Sequence, residues 1–480
     1  MSKREFAGKR VAVIGLAATG LATARVLRDQ GATVTVYDAK PESALDPARV
    51  AEVRELGAAL ALGVPEPDWV ATDLVVPSPG VPRYAPPIAE AVRRGVPVLG
   101  EIEVAYRLAK APILAITGTN GKTTTTALVG AICREAGLKT WVAGNIAEDE
   151  GKRLPLIQAA VEAPAAGVIV AEISSFQLEW VERFRPKVAA WLNIASDHMD
   201  RHKDFDEYAR AKASIFRAQR EDDFAVLNAD DENVIRYSEG VGSAQRRVFS
   251  VNAAGDGSVR VPGGTYVLSR GTLTLSATGT APAISVPIGP LPLPGRHNLA
   301  NVMAAVAMTS ALGVGHGTIA VAVRAFKGVA HRMEFVEEVG GVRYINNSMC
   351  TNPAALVASV SAVETPLVAI VGGIHKGGDL TEFARALAEH ARHVVLIGKS
   401  APDIADALRA AGGDTPHEFA DTLPDAVARA AALARPGETV MLAPGCASFD
   451  MFTGFEQRGQ VFRDAVRALP RTDSKEKREA

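Results

Sequence analysis

The sequence predicts an α/β protein of three domains, and three observations carry that prediction. Short apolar runs that end in Gly, Ser or Asn turns and lead into helix-like stretches recur along the whole chain. A glycine loop of phosphate-binding type, Thr117-Gly-Thr-Asn-Gly-Lys-Thr123, sits between two such regions. The length, 480 residues, exceeds one ordinary hydrophobic core. The expected division is a nucleotide-binding domain at 1–107, a central phosphate-loop domain at 108–325, a C-terminal α/β domain at 326–470 and a charged tail at 471–480.

Residues 10–38 read as strand, helix and strand, with Asp38 ending the second strand. Gly15 and Gly20 fit the ends of a dinucleotide fingerprint, but Ala17 stands where its middle glycine would let a pyrophosphate approach. A Rossmann-like domain that binds a nucleotide other than NAD is expected, against the alternative of a turn that only packs strand on helix. Asp73 to Gly80 is a further strand running into a Ser-Pro-Gly turn, the kind of strand end where open α/β sheets hold ligands. Glu101 to Leu108 reads as a short helix, and Ala109-Lys-Ala-Pro112 as a linker.

The central domain opens on the apolar run Ile113–Ile116, then Gly118, Thr119, Asn120, Gly121, Lys122, Thr123 and Thr124, then a helix-like stretch from Ala127 to Cys133. Loop N–H groups and a helix N-terminus can face a phosphate, a lysine can neutralise it, and a hydroxyl can hold Mg2+. The strict form of this loop needs a glycine at 116, where the chain has Ile116, so the loop is a shorter G-x-x-G-K-T. Gly167 to Glu179 is a buried strand ending in Glu172, a candidate Mg2+ ligand or an ordinary strand-end acid. Asp197, His198, Asp200 and His202 crowd the end of the next strand as candidate metal or phosphate ligands. Residues 204–220 form an amphipathic helix on which Lys212, by its pattern alone, is a solvated lysine. Residues 246–290 alternate Val, Thr and Leu between Gly turns, which predicts an antiparallel ribbon added to a parallel sheet. Asn298 and Asn301 share one face of a helix that runs to about Leu312.

In the third domain, the stretches 342–353, 366–378, 393–398 and 439–448 each read as a strand running into a turn, with helices at 381–391, 401–412 and 424–434 between them. This is a second Rossmann-like α/β unit with its loops on one sheet edge.

The bulk numbers exclude several classes. A net charge of −2 offers no electrostatic footprint for nucleic acid or an anionic membrane. No apolar run approaches the roughly 20 residues that span a bilayer. Three widely spaced cysteines form neither a disulfide framework nor a zinc site and suit a reducing compartment. A soluble cytoplasmic protein is expected.

Together these stretches resemble the Mur ligases, ATP-dependent amide-forming enzymes of peptidoglycan synthesis. The resemblance rests on Thr117–Thr123, Asn193 to His198, Gly295-Arg-His-Asn298 with Asn301, and His331-Arg332. Glu172 to Glu179, Asp197-His-Met-Asp-Arg201, Cys446-Ala-Ser-Phe449 and Gly454 to Gly459 resemble the glutamate-adding members. The resemblance implies UDP-MurNAc-L-Ala, glutamate and ATP as substrates, D-glutamate being added through an acyl phosphate. It implies that Gly118 to Thr124, Asn298, Asn301, Arg332 and Asn347 meet ATP, and that Thr123 and Glu172 hold one Mg2+. His198 and a carbamylated Lys212 would serve a second Mg2+, with Lys122, His198 and Lys212 as the catalytic set. Thr19, Asp38, Ser78, Pro79 and Gly80 would hold the uridine diphosphate part, Asn145 and Gln177 the muramoyl part, and Thr351, Lys376, Ser448 and Phe455 the glutamate. The chain departs from relatives at Asn347, in place of an acid, and at Met349, in place of a lysine. Met349 cannot neutralise a carboxylate, so the L-glutamate-adding variant is the main alternative. A folate polyglutamate-type ligase and a non-catalytic ligase-like subunit are the others.

Overall fold

A computed structural model describes residues 5–64, 66–146, 153–195, 197, 201–252, 265–269, 272–276, 284–287, 296–363, 365–375, 377, 379–412 and 415–470. The N-terminal elements are β1 (Arg10–Ile14), α1 (Ala18–Asp29), β2 (Thr33–Asp38), α2 (Pro47–Glu55), β3 (Ala59–Leu62), β4 (Leu74–Pro77), α3 (Pro86–Arg93) and α4 (Glu101–Leu108). The strands form a parallel sheet in the order β3-β2-β1-β4.

The central elements are β5 (Ile113–Thr117), α5 (Lys122–Glu135), β6 (Thr140–Gly144), α6 (Leu156–Glu162), β7 (Val168–Glu172), β8 (Val188–Trp191), α7 (Phe205–Ala213), β9 (Phe224–Asn228), α8 (Glu232–Ser238), β10 (Gln245–Phe249), β11 (Thr265–Ser269), β12 (Thr272–Ser276), β13 (Ile284–Pro287), α9 (Arg296–Ala311) and α10 (His316–Ala325). They build a nine-stranded sheet ordered β13-β12-β11-β10-β9-β8-β5-β7-β6. β5 lies inside this sheet and is buried along its whole length, as a two-sided parallel strand must be. Its alternation divides the packing: Leu114 and Ile116 join the core with α5 and α9, while Ile113 and Ala115 join the core with α4 and α6.

Two details correct the local pattern. The antiparallel ribbon expected over 246–290 is present as β11–β13, whose neighbours pair antiparallel, but β10 is not part of it: β10 pairs parallel with β9, and the ribbon joins the main sheet through a parallel β10–β11 pair. Alternation reports a half-buried strand but not the direction of its neighbour. Helix α5 also begins at Lys122 rather than Ala127. Its run of threonines has poor helix propensity, but Thr123, Thr125 and Thr126 are buried, and packing overrides propensity.

The N-terminal and central sheets belong to one compact unit, which ends at Phe326. The second unit carries β14 (Glu334–Val339), β15 (Val342–Asn346), α11 (Pro353–Val360), β16 (Leu367–Gly372), α12 (Thr381–His390), β17 (Ala391–Ile397), α13 (Ala401–Ala410), β18 (His417–Phe419), α14 (Leu423–Leu433), β19 (Thr439–Gly445) and α15 (Phe455–Arg467). Its sheet runs β14-β15-β19-β16-β17-β18, parallel except for the β14–β15 pair.

Two buried carboxylates tie α4 to the central sheet. Glu103 is fully buried and accepts from the backbone N–H groups of Glu182 (2.9 Å), Arg183 (3.0 Å) and Phe184 (2.8 Å), and from Arg107 Nε at 2.8 Å. Glu101 accepts from Ile157 N–H in the first turn of α6 at 2.7 Å. Burial pushes the Glu101 carboxyl up to about 7, against the opposing pull of that N–H. The folded state therefore keeps a proton that the unfolded chain releases near 4.5, and stability falls as pH rises from about 4.5 to 7. Glu101→Gln is expected to remove a pH-dependent loss of about 3 kcal/mol over that window. Urea midpoints of both proteins at pH 5 and pH 7.5 check this; a midpoint difference independent of pH would contradict it.

Candidate functional site

The phosphate loop leaves β5 at Thr117 and enters α5 at Lys122. Gly121, the residue before the helix, has φ +81°, and a Cβ there would fall on the side chain of Asn301. Asn301, buried in α9, is thus the floor of the loop, and its amide donates to Asn298 Oδ1 at 3.4 Å.

Neighbouring strand ends hold the loop in shape. Asn193 clamps Asn120, accepting from its N–H at 2.8 Å and donating to its carbonyl at 3.1 Å. Thr119 N–H donates to the Asn193 carbonyl at 3.1 Å, and Thr119 Oγ1 accepts from Ala195 N–H at 3.0 Å. That hydroxyl also pairs with Tyr208 Oη at 3.0 Å. Lys122 Nζ donates to the carbonyls of Gly118 (2.9 Å) and Thr119 (2.8 Å). Thr123 is buried in the first turn of α5, and Thr124 beside it is half-buried.

Lys212 departs from the solvated lysine its helix pattern predicts. It is 2% exposed, its Nζ donates to the Gly118 carbonyl at 2.8 Å, and it lies 4.7 Å from the Tyr208 ring centroid. Burial drives its pKa well below the ordinary lysine value, and Lys122 adds to the shift, while Asp197 and Glu172 oppose it. A buried amine of this kind is available as a nucleophile.

Glu172 ends β7 with 3% exposure. Its Oε1 accepts from Asn145 Nδ2 at 3.2 Å, while its Oε2 is buried with no hydrogen-bond partner among the described residues. An orphaned carboxylate oxygen beside a phosphate loop fits a hard cation. Among the described residues no group of three or more His, Cys, Asp or Glu side chains is placed to hold a metal ion. A cation here would therefore draw on the Thr123 hydroxyl and Glu172 together with phosphate oxygens. His198 lies outside the described residues. His202 is a packed core residue, bonded to Ser175 Oγ at 3.0 Å with the Phe176 and Tyr208 rings beside it.

A cavity of about 780 Å³ runs from Lys122 and Lys212 to the N-terminal sheet. Thr19, Asp38, Ser78, Pro79, Gly80, Asn145, Gln177, Lys122 and Lys212 all line it. The first turn of α1 borders the cavity, and Ala17 before it is in extended backbone that needs no glycine. Asp38 is committed to backbone, accepting from the N–H groups of Leu16 (2.9 Å) and Lys40 (3.0 Å). Ser78 Oγ donates to the Gly15 carbonyl at 2.9 Å. Gln177 Oε1 accepts from both the N–H (3.0 Å) and the hydroxyl (3.1 Å) of Ser174. Local motifs did not point to Lys40, Arg49 and Arg153, which join Lys122 and Lys212 in the lining. Lys40, Arg49, Lys122 and Arg153 against Asp38 and Asp46 make the cavity suited to a polyanion.

In the second unit, Asn347 and Thr351 follow the carboxyl end of β15 and Ser448 that of β19. Asn347 is buried with both ends of its amide in use: Oδ1 accepts from Met333 N–H at 3.1 Å, and Nδ2 donates to Ser359 Oγ at 2.6 Å. It shapes the turn next to Arg332, where His331 (φ +65°) and Met333 (φ +45°) are left-handed. The Phe455 ring, opening α15, meets His331 edge-on at 5.8 Å. Arg458, almost fully buried, donates to the carbonyls of Ser348 (2.9 Å) and Cys446 (3.1 Å), holding the two strand ends together near the buried Ser448. Thr351 is half-buried just before α11. Lys376 lies outside the described residues.

Three family models match the chain: the MurD-like N-terminal domain at residues 9–100, the Mur ligase middle domain at 116–309, and the Mur ligase glutamate ligase domain at 331–446. The UDP-N-acetylmuramoylalanine–D-glutamate ligase of Pelotomaculum thermopropionicum is 45% identical over 97% of this chain and 99% of its own length. The enzyme of the same name from Thermoanaerobacter pseudethanolicus is 41% identical over 97% and 100%. Among solved structures, the UDP-N-acetylmuramate–alanine ligase of Thermotoga maritima aligns at TM-score 0.54 and 20% identity over 96% of this chain and 99% of its own. MurF from Acinetobacter baumannii aligns at 0.56 and 19% over 94% and 93%. These two likenesses establish the shared fold.

Proposed function

The chain belongs to the Mur ligase family, and on that premise we infer that it is an ATP-dependent ligase joining D-glutamate to UDP-MurNAc-L-Ala in peptidoglycan synthesis. One observation carries the reading: a single basic cavity runs from the N-terminal nucleotide turn to Lys122 and Lys212 at the phosphate loop. A UDP-linked substrate anchored at Thr19, Asp38 and Ser78 to Gly80, with its muramoyl part at Asn145 and Gln177, would direct its carboxylate toward the γ-phosphate of ATP.

The substrate carboxylate oxygen bonds to the γ-phosphorus, and the bridging P–O bond to ADP breaks. Lys122 and the N-terminus of α5 stabilise the charge that moves in this step, within a loop already held by Asn193, Tyr208 and Lys212. The glutamate amine then attacks the acyl carbon, the C–N bond forms, phosphate leaves, and the amine gives up its proton. Mg2+, when bound, supplies positive charge at the phosphates; Thr123 and Glu172 would hold it.

The reading extends to a second Mg2+ served by His198 and a carbamate on Lys212. Attack on CO2 needs a neutral amine, and burial of Lys212, which lowers its pKa, favours that form. Asn298, Asn301, Arg332 and Asn347 are proposed on the ATP side. Thr351, Lys376, Ser448 and Phe455 are proposed for the glutamate. We also propose a cytoplasmic monomer, in keeping with three buried free thiols.

The test is a phosphate-release assay with ATP, UDP-MurNAc-L-Ala and each glutamate enantiomer. Release with D-glutamate alone is expected. Release with L-glutamate alone would move the chain to the other stereochemistry, to which Met349 already lends weight, and release with neither would sink the substrate assignment.

A further inference from the structure

Arg201 follows directly on the Asp197–Asp200 cluster, and the mechanism above gives it no part. Its guanidinium is 8% exposed and forms a fork-on-fork pair with Glu179, at 3.1 Å from Nε and 2.8 Å from Nη2. The same group donates across to the N-terminal sheet's turn, Nη2 to the Val81 carbonyl at 2.7 Å and Nη1 to the Gly80 carbonyl at 3.4 Å. It also lies 4.7 Å from the Phe176 ring centroid. A second bond runs beside it, from Tyr84 Oη to Glu207. Glu207 is in the first turn of α7, where its other oxygen accepts from Lys203 N–H at 2.6 Å. Along the same helix, Tyr208 and Lys212 reach the Thr119 hydroxyl and the Gly118 carbonyl. One stretch of chain, 201–212, therefore grips the substrate turn at one end and the phosphate loop at the other.

We propose that Arg201 is a positioning residue for the UDP-linked substrate: it fixes the 78–81 turn to the segment that also holds the phosphate loop, so that both halves of the cavity share one brace. The inference rests on the reading of 78–80 as part of the UDP-substrate site. Ser78, Pro79, Gly80 and Val81 line the cavity and Arg201 does not, so its influence passes through their backbone. Arg201 is suited to this work because a rigid planar fork can serve one carboxylate and two carbonyls at once, whereas an ammonium cannot hold that plane.

The test uses the full chain and three variants: Arg201→Met, Arg201→Lys and the double variant Glu179→Gln/Arg201→Met. The double variant avoids leaving a buried carboxylate unpaired, which alone could unfold the protein. Calorimetric titration with UDP-MurNAc-L-Ala and, separately, with a non-hydrolysable ATP analogue reads each half of the site. Arg201→Met and the double variant are expected to bind the UDP-linked substrate about tenfold or more weakly, the loss of charge-assisted bonds. Binding of the ATP analogue should stay within about twofold, and Arg201→Lys should recover part of the loss. Amide hydrogen exchange at residues 78–84 should quicken in both methionine-bearing proteins relative to wild type.

Undiminished UDP-substrate affinity in the folded double variant would overturn the proposal. So would equal losses for both ligands with no recovery by lysine, which would mark a general structural role. If the wild-type protein bound no UDP-MurNAc-L-Ala, the functional reading would fall and the exchange rates would still judge the brace: unchanged exchange at 78–84 would refute it.

Discussion

Replacing Lys212 by alanine is expected to lower the rate of phosphate release by ~10²–10³-fold, the scale seen when one preorganised electrostatic group is lost from a reaction site. Lys212 has one observed contact and one proposed task. Its Nζ holds the Gly118 carbonyl, and its buried amine, whose charged form burial disfavours, is the proposed site of carbamylation. The two respond differently to added small molecules. A short carboxylate such as acetate or propionate can enter the space left by the alanine and stand in for a carbamate, but it cannot donate to a carbonyl. Partial recovery of phosphate release with rising carboxylate concentration therefore supports the carbamate. Full activity of Lys212→Ala would remove Lys212 from the catalytic set. Lost activity that no carboxylate restores would leave only the contact with Gly118.

The second large effect concerns stability. Glu103→Ala is expected to destabilise the N-terminal and central unit by roughly 3–5 kcal/mol, because it strips a shared acceptor from buried donors. The N–H groups of Glu182, Arg183 and Phe184 all lose their carboxylate, and Arg107 keeps only its exposed-side partners Glu5 and Glu182. Glutamine is no remedy: both oxygens of Glu103 accept, so an amide would turn an N–H toward another donor. Urea unfolding followed by tryptophan fluorescence, with Trp180 next to the 182–184 segment, is the check. A loss under about 1 kcal/mol would show that water or local rearrangement satisfies the three N–H groups.

Local pattern was a good guide wherever chemistry and chain position coincide. The phosphate loop, the strand under it and the acid at the tip of β7 are each written in a few consecutive residues, and each stands where its pattern puts it. Lys212 was opaque because periodicity describes a helix's own faces and not what covers them. It sits one turn from Tyr208 on a helix of modest amphipathicity, and it is buried by the phosphate loop, which lies far away in sequence. Lys40, Arg49 and Arg153 were invisible for a related reason: each is an ordinary basic residue until the turns around the cavity bring it beside the others. At the edge of the central sheet the antiparallel ribbon was legible in β11–β13, and only β10 was wrongly read into it, because alternation is the same in a parallel strand.

The contact between Gly121 and Asn301 has a consequence for how the protein is made. The loop is translated early, yet its floor arrives only with α9, and the strand beneath it pairs with β7 and β8 rather than with its immediate successor. Loop closure over such separations is slow relative to local helix formation. A nascent chain emerging at about 5–20 residues per second therefore presents α5 and its glycine turn for many seconds before Asn301 leaves the ribosome. Nucleotide affinity should appear late in synthesis, as a step near the completion of α9 rather than a gradual gain, and that interval is when the half-built sheet is most open to chaperones.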